Sequence, residues 1–401
     1  MRKGGKVQKM GKFIPLSIPN FEGNEKKYVE DALDQGWVST GGAYITKLEE
    51  QMALFLHGGK VAACQSGTSA LHLSLVEAGV KPGDVVLVPP LTFIAAVNPV
   101  KYQSAVPVFI DCDDSLCMDP VKFRHFCKEE CGFEGGVLRY RGREVKAVVV
   151  VHVFGNMADM EGIMETAERY RLKVVEDATE ALGTYYTEGK YRGKYAGTIG
   201  DFGCFSFNGN KIITTGGGGA VTAKAPETVE HLRFLSAQAK TDPHYYIHDE
   251  IGYNYRMTNL QAALGVAQME ELPEFIRRKQ NNYEQYKAEF AGFEYGELMP
   301  FREGTSSNKW FYSVKIDRTC IRASMREILT ALEKDGIQTR AVWGLVNEQK
   351  PYEREETYRL EKAPYYADRI LNIPSSTQIT REEITYVADR VKRLLRKLAD
   401  G

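Results

Sequence analysis

Short apolar runs rich in β-branched residues recur along this chain, and their rhythm is the strongest constraint on its fold. Val85–Val88, Val106–Ile110, Val145–Val151, Val174–Val175 and Phe202–Phe207 are separated by stretches with helical spacing. Largely apolar strands alternating with helices predict an α/β fold, with a mostly parallel sheet sandwiched by helices. Ligands of such sheets collect at the carboxyl ends of the strands, which places Thr92, Phe93, Asp111, His152 and Asp177 along one edge.

Two helices precede the sheet, one carrying Tyr28, Val29, Ala32 and Leu33, the other Ile45, Leu48, Met52, Phe55 and Leu56. Trp37, in the glycine-rich loop between them, is either a packing anchor or part of a binding rim. Val61–Cys64 reads as a buried strand, and Gln65–Ala70 as the turn into a helix starting near Leu71. The free amides of such a helix start attract anions, and Gly67 lets a phosphate approach the backbone, although Ser-Gly-Thr-Ser is also ordinary capping chemistry.

Ala220–Ala223 closes the sheet region, and Gly252–Asn259 leads into a long helix that Pro273 must interrupt or kink. Beyond Gly296, Trp310, Tyr312, Val314 and Ile316 alternate as one face of a half-buried strand. Ser324–Glu327 is a capping box for a helix ending at Gly336, and Ile337–Val342 is a further strand. A second box, Thr380–Glu383, opens the terminal helix, whose stripe from Ile384 to Leu398 is core. The expected organisation is a tail over 1–13, a large domain over 14–250 and a smaller α/β domain over 251–401.

With 52 basic and 53 acidic residues in 401, there is no net field to recruit nucleic acid or an acidic membrane surface. Seven cysteines without a dense framework fit a reducing, cytoplasmic setting. The basic first dozen residues are not followed by an apolar run, so neither a signal peptide nor a membrane anchor is expected. His244 and His248 have the spacing of helical metal ligands but no third ligand follows, so no metal site is expected.

The stretch Asp201–Ala220 sets Lys211 between Ser206 and the run Gly216–Gly219. It is not a P-loop, because the glycines follow the lysine, and it lacks the Gly-x-Gly-x-x-Gly spacing of dinucleotide sites. A lysine beside glycine-rich backbone suggests a crowded pocket, and lysine is the side chain that joins carbonyl compounds as a Schiff base. Asp177, at the end of a buried strand, is either satisfied by caps and ion pairs or the counter-ion of a buried cationic ring nitrogen. Together Lys211, Asp177 and the Gly67-Thr68 turn supply an amine for an aldehyde, an acceptor for a pyridinium and a cradle for a phosphate.

The ordered set Ser66-Gly67-Thr68-Ser69-Ala70-Leu71, Thr92-Phe93, Val151–Gly155, Glu176-Asp177-Ala178 and Ser206-Phe207-x3-Lys211-x3-Thr215-Gly216 resembles the DegT/DnrJ/EryC1/StrS sugar aminotransferases over about Ile14 to Leu398. The resemblance implies fold type I, the aspartate aminotransferase-like fold of pyridoxal phosphate enzymes. It implies Lys211 as the Schiff-base lysine, Asp177 as the partner of the ring nitrogen, Phe93 stacked on the ring, and Gly67, Thr68 and Ser206 on the phosphate. Asn254 matches an asparagine that reaches the phosphate from a neighbouring subunit, which implies a homodimer with a shared site. Glu180 occupies a place near the cofactor's phenolic oxygen, where many relatives have Gln or His. Asn208–Thr215 and Gln338-Thr339-Arg340-x2-Trp343 resemble the branch that aminates C4 of UDP-linked 4-keto-6-deoxy-N-acetylhexosamines for bacillosamine and legionaminic acid, with L-glutamate as donor. Trp37, Arg256, Arg340 and Trp343 are then the expected substrate residues. A GDP-linked or dTDP-linked keto sugar is the alternative acceptor. A sugar dehydratase on this scaffold is disfavoured because it replaces the lysine with histidine, and a non-catalytic nucleotide-sugar binder is the remaining rival.

Overall fold

The computed structural model describes residues 13–242 and 244–400, so the expected tail lies, apart from Phe13, outside the described residues. Its centre is a sheet in the order Val61–Cys64, Gly219–Ala223, Phe202–Ser206, Lys173–Asp177, Arg143–Val151, Val85–Val88, Val106–Ile110 and Glu356–Tyr358. A hairpin of Gly132–Glu134 and Val137–Tyr140 hangs from the long strand. All the pairings from Phe202–Ser206 to Glu356–Tyr358 are parallel, and Gly219–Ala223 runs against both its neighbours. The expected mostly parallel sheet is therefore present. Its central strands are buried along nearly their whole length because helices cover both faces, which is why their sequences show no alternation.

Register matters more to the site than strand count. Val151 pairs with Asp177 and Asp177 with Cys204, so two neighbouring strands end level and the third runs two residues further, to Ser206. On the other side Ser206 pairs with Gly219 and Gly219 with Cys64, which brings the turn after Cys64 against the end of Phe202–Ser206. The helix after that turn spans Gly67–Glu77 and starts earlier than Leu71. Ser66 caps it by accepting from Ser69 N–H at 3.0 Å, and this cap extends helical geometry back to Gly67.

The long helix Asn259–Phe290 runs through Pro273 without interruption. Proline there forfeits one backbone hydrogen bond, but packing on two cores holds the helix together. Its first half, with Ala263, Val266 and Phe275, joins the core of the large sheet. Its second half, with Tyr283, Tyr286 and Phe290, joins a second core built on the strands Gly296–Leu298, Tyr312–Ile316, Ile370–Ile373 and Arg340–Ala341. Trp310 lies just before the strand rather than on it. Both capping boxes form, Ser324 with Glu327 and Thr380 with Glu383. Among the described residues no helix is long and apolar enough to cross a membrane.

Candidate active site

At the carboxyl ends of the parallel strands lies a cleft of about 650 Å³. Gly67, Thr68, Phe93, Asp177, Glu180, Ser206, Lys211, Arg340 and Trp343 all line it, so segments far apart in sequence converge on one space. Lys211 sits on a turn closed by its own N–H to the Asn208 carbonyl at 3.0 Å. That turn is pinned from below by Thr215 N–H to Phe207 O at 2.9 Å and by Thr214 N–H to Gln268 Oε1 at 3.1 Å.

Lys211 Nζ lies 3.6 Å from Glu180 Oε1, and the other carboxyl oxygen of Glu180 accepts from Phe154 N–H at 2.8 Å. Phe154 adopts φ 58, a left-handed conformation unusual for a non-glycine residue, and it aims that N–H at Glu180. Burial pushes the Glu180 carboxyl up to about 7, against the pull of Lys211 and the Phe154 N–H. Burial also raises Asp177, opposed by Thr179, Lys211 and His152. One oxygen of Asp177 accepts from Thr179 N–H at 3.1 Å.

The neighbouring Glu176 faces the opposite side of its strand. Its carboxylate accepts from His152 Nε2 at 2.9 Å and from the N–H groups of Gly197, Ile199 and Gly200. His152 Nδ1 accepts from Ala158 N–H at 3.1 Å, which fixes its tautomer. His152 therefore holds the strand ends in place beneath the cleft. Asp111, expected on the same edge, instead forms a buried clamp with Lys122 at 2.7 Å and with the N–H groups of Glu361, Lys362 and Ala363, and it does not line the cleft.

The residues present fit pyridoxal phosphate. A Cβ on Gly67 would stand 2.9 Å from both Ser206 Cβ and Thr179 Cγ2, so the turn leaves a narrow cradle that only glycine keeps open. The helix start behind it presents free amides to an anion. Phe93, 55% exposed although apolar, offers an uncovered ring in the cleft. Asp177, a buried carboxyl raised by its surroundings, gains from any cation placed beside it.

Three expected residues do not line this chain's cleft, one of which, Asn254, is expected to serve a neighbouring subunit's site. Arg256 is held by Glu49 and the Ala63 carbonyl in a largely buried ion pair, off the cleft wall, because Glu49 offers a desolvated carboxylate beside it. Trp37 is 60% exposed and does not line this chain's cleft; its carbonyl accepts from Asn259. Asn254 also lies outside the cleft of its own chain, in a backbone bridge with Ala237. Sequence reasoning missed Trp310, whose ring lies 4.1 Å from Lys211 Nζ and whose indole N–H donates to the Asn210 carbonyl at 2.7 Å. It also missed Leu16 and Phe311, which line the cleft from the core of the large sheet, and Asn372, which lines it from the strand Ile370–Ile373. The sequence signal for Trp310 was its place at the head of the alternating run Trp310, Tyr312, Val314 and Ile316.

A mostly parallel sheet with a lysine, a buried aspartate and a glycine turn at a helix start converging on one edge is the arrangement of a pyridoxal phosphate enzyme of fold type I. The model of the DegT/DnrJ/EryC1/StrS aminotransferase family matches residues 19–392, and the chain belongs to that family. It is 35% identical to the GDP-perosamine synthase of Escherichia coli O157:H7, across 95% of this chain and 98% of that one. It is 34% identical to the GDP-perosamine synthase of Caulobacter vibrioides, with the same coverage of 95% and 98%. Among solved structures, Spr1654 from Streptococcus pneumoniae in its PLP-form superposes with a TM-score of 0.86 at 25% identity, covering 96% of this chain and 99% of that chain. The protein is a pyridoxal phosphate-dependent sugar aminotransferase.

Proposed function

We propose that this aminotransferase takes its amino group from L-glutamate and delivers it to C4 of a nucleotide-linked 4-keto-6-deoxy sugar, a GDP-linked sugar being the first candidate. The observation that carries the reading is the approach of Lys211 Nζ to Glu180 at 3.6 Å, in a cleft that also holds Asp177 and the Gly67 turn. The preference for GDP rests on the two relatives named GDP-perosamine synthase. A UDP-linked N-acetylhexosamine is the second reading. It is favoured by the likeness of Asn208–Thr215 and Gln338–Trp343 to the UDP-sugar branch, since Asn208, Asn210, Lys211, Gln338, Arg340 and Trp343 all line the cleft.

When bound, pyridoxal phosphate supplies an aldehyde that takes up the donor's amino group and a cationic ring that draws in electrons from the donor's α-carbon. Asp177 would keep the proton on the ring nitrogen, Phe93 would lie against the ring, and Gly67, Thr68 and Ser206 would hold the phosphate. Lys211 Nζ takes the proton from the donor's α-carbon and returns it when the direction of transfer reverses. Glu180, raised to about 7 by burial, would donate toward the cofactor's phenolic oxygen. Arg340 and Trp343 meet the sugar nucleotide. A second copy supplies Asn254, so the working unit is a homodimer.

Because donor and acceptor use the same cleft in turn, the kinetics are ping-pong. The deciding experiment incubates the protein with pyridoxal phosphate, glutamate and a panel of GDP- and UDP-linked 4-keto sugars, and follows amino-sugar formation by mass. Product from the GDP sugars supports the first reading, and product from the UDP sugars alone replaces it with the second. Glutamate turnover with no sugar product contradicts both.

A further inference from the structure

Trp310 is fixed at each of its polar atoms. Its backbone N–H donates to Asn308 Oδ1 at 3.0 Å and its indole N–H to the Asn210 carbonyl at 2.7 Å. Its carbonyl accepts from Lys279 Nζ at 2.7 Å and from Ser375 Oγ at 3.1 Å. The ring held in this way stands 4.1 Å from Lys211 Nζ, and the carbonyl it grips belongs to the residue just before Lys211.

Lys279, midway along the long helix, has no evident reason to be a lysine if it only fills the core. It is 2% exposed, and among the described residues no carboxylate lies within ion-pair distance. Its amine also donates to the Ser375 carbonyl at 2.5 Å and sits 5.5 Å from the Tyr312 ring. Burial pushes the amine down to about 7, a cost that a methionine of similar length would avoid. What the amine gains is a grip on two carbonyls. One belongs to Trp310, and the other to Ser375, whose N–H in turn donates to the carbonyl of Leu16 on the cleft wall at 2.7 Å.

We propose that Lys279 is a positioning residue for the amino transfer: by holding the Trp310 carbonyl from behind, it sets the indole face against the nitrogen of Lys211. The proposal rests on Lys211 being the reactive amine. A lysine that only stabilised the fold would leave the chemistry of that amine unchanged once the protein is folded.

The test measures the reactivity of Lys211 in the cofactor-free protein. An amine-directed acylating reagent is applied across a pH series, and Lys211 modification is read by peptide mass. Lys279→Met is expected to change the rate at Lys211 by at least about threefold and to displace its pH profile, the scale of a desolvated cation–ring contact. Trp310→Phe should act in the same direction, and the double variant should exceed the larger single effect by little, because both act through one contact. An unchanged rate and profile in folded Lys279→Met, or full additivity with Trp310→Phe, overturns the proposal. If Lys279→Met fails to fold, Ser375→Ala decides: a smaller change in the same direction supports the proposal and an unchanged profile overturns it. Borohydride reduction of the wild-type holoenzyme keeps the two claims apart, because cofactor fixed to a residue other than Lys211 overturns the functional reading itself.

Discussion

Lys211 and Glu180 meet at 3.6 Å inside the cleft, and the left-handed backbone of Phe154 holds the far oxygen of that carboxyl. An amine thus shares one enclosed space with an acid that burial raises to about 7.

Glu180 couples the site to the stability of the cofactor-free protein. Its carboxyl is raised from 4.5 to about 7, so the folded state binds the extra proton in that window. The resulting stabilisation is complete below pH 4.5 and is lost as pH rises through 7, a change of roughly 3 kcal/mol. Glu180→Gln should remove this slope. The difference between the two proteins in urea unfolding free energy, measured from pH 4.5 to 8, checks it.

Asp177→Asn keeps the shape of the side chain but removes the charge that would hold a proton on the ring nitrogen. We expect kcat to fall by roughly 100-fold or more, the scale of leaving a buried charge unpaired. The apparent affinity for the phosphate half of the cofactor should change far less. Stopped-flow rates of the glutamate half-reaction, beside equilibrium cofactor titration, separate the two effects.

Gly67→Ala puts a methyl group 2.9 Å from Ser206 Cβ and Thr179 Cγ2. Overpacking of this kind costs about 1–3 kcal/mol, and part of it should appear as cofactor affinity reduced by about tenfold. Calorimetric titration of the apoprotein with pyridoxal phosphate and with inorganic phosphate tests the cradle directly.

Arg340 lines the cleft, and its Nη1 donates to the neighbouring Thr339 carbonyl at 3.0 Å. Arg340→Gln should raise KM for the sugar nucleotide by about tenfold while leaving the stability within about 0.5 kcal/mol, as expected for a surface cation that meets an anionic ligand. Steady-state kinetics with a melting curve provide the check.

Legibility in the sequence followed chain distance. Asp177, Lys211 and the Gly67 turn were visible because each is a short motif next to a strand end, and parallel strands bring their carboxyl ends together wherever they fall in the chain. Trp310 was not visible, because its contact with Lys211 joins residues about a hundred positions apart and depends on how the chain after the long helix packs back onto the core of the large sheet. Arg256 was assigned to substrate because nothing local announces that Glu49 will claim it. The strand Glu356–Tyr358 is too short and too polar to carry a period, and its pairing with Val106–Ile110 sets its conformation. Pro273 was read from local stereochemistry alone, whereas the packing of both halves of its helix keeps that helix continuous.

The most direct test of the central claim is to reconstitute the protein with pyridoxal phosphate, reduce it with borohydride, digest it and map the modified peptide. The account predicts one phosphopyridoxyl group, on the ε-nitrogen of Lys211. A label on any other lysine, or a protein that takes up no cofactor at all, would contradict it.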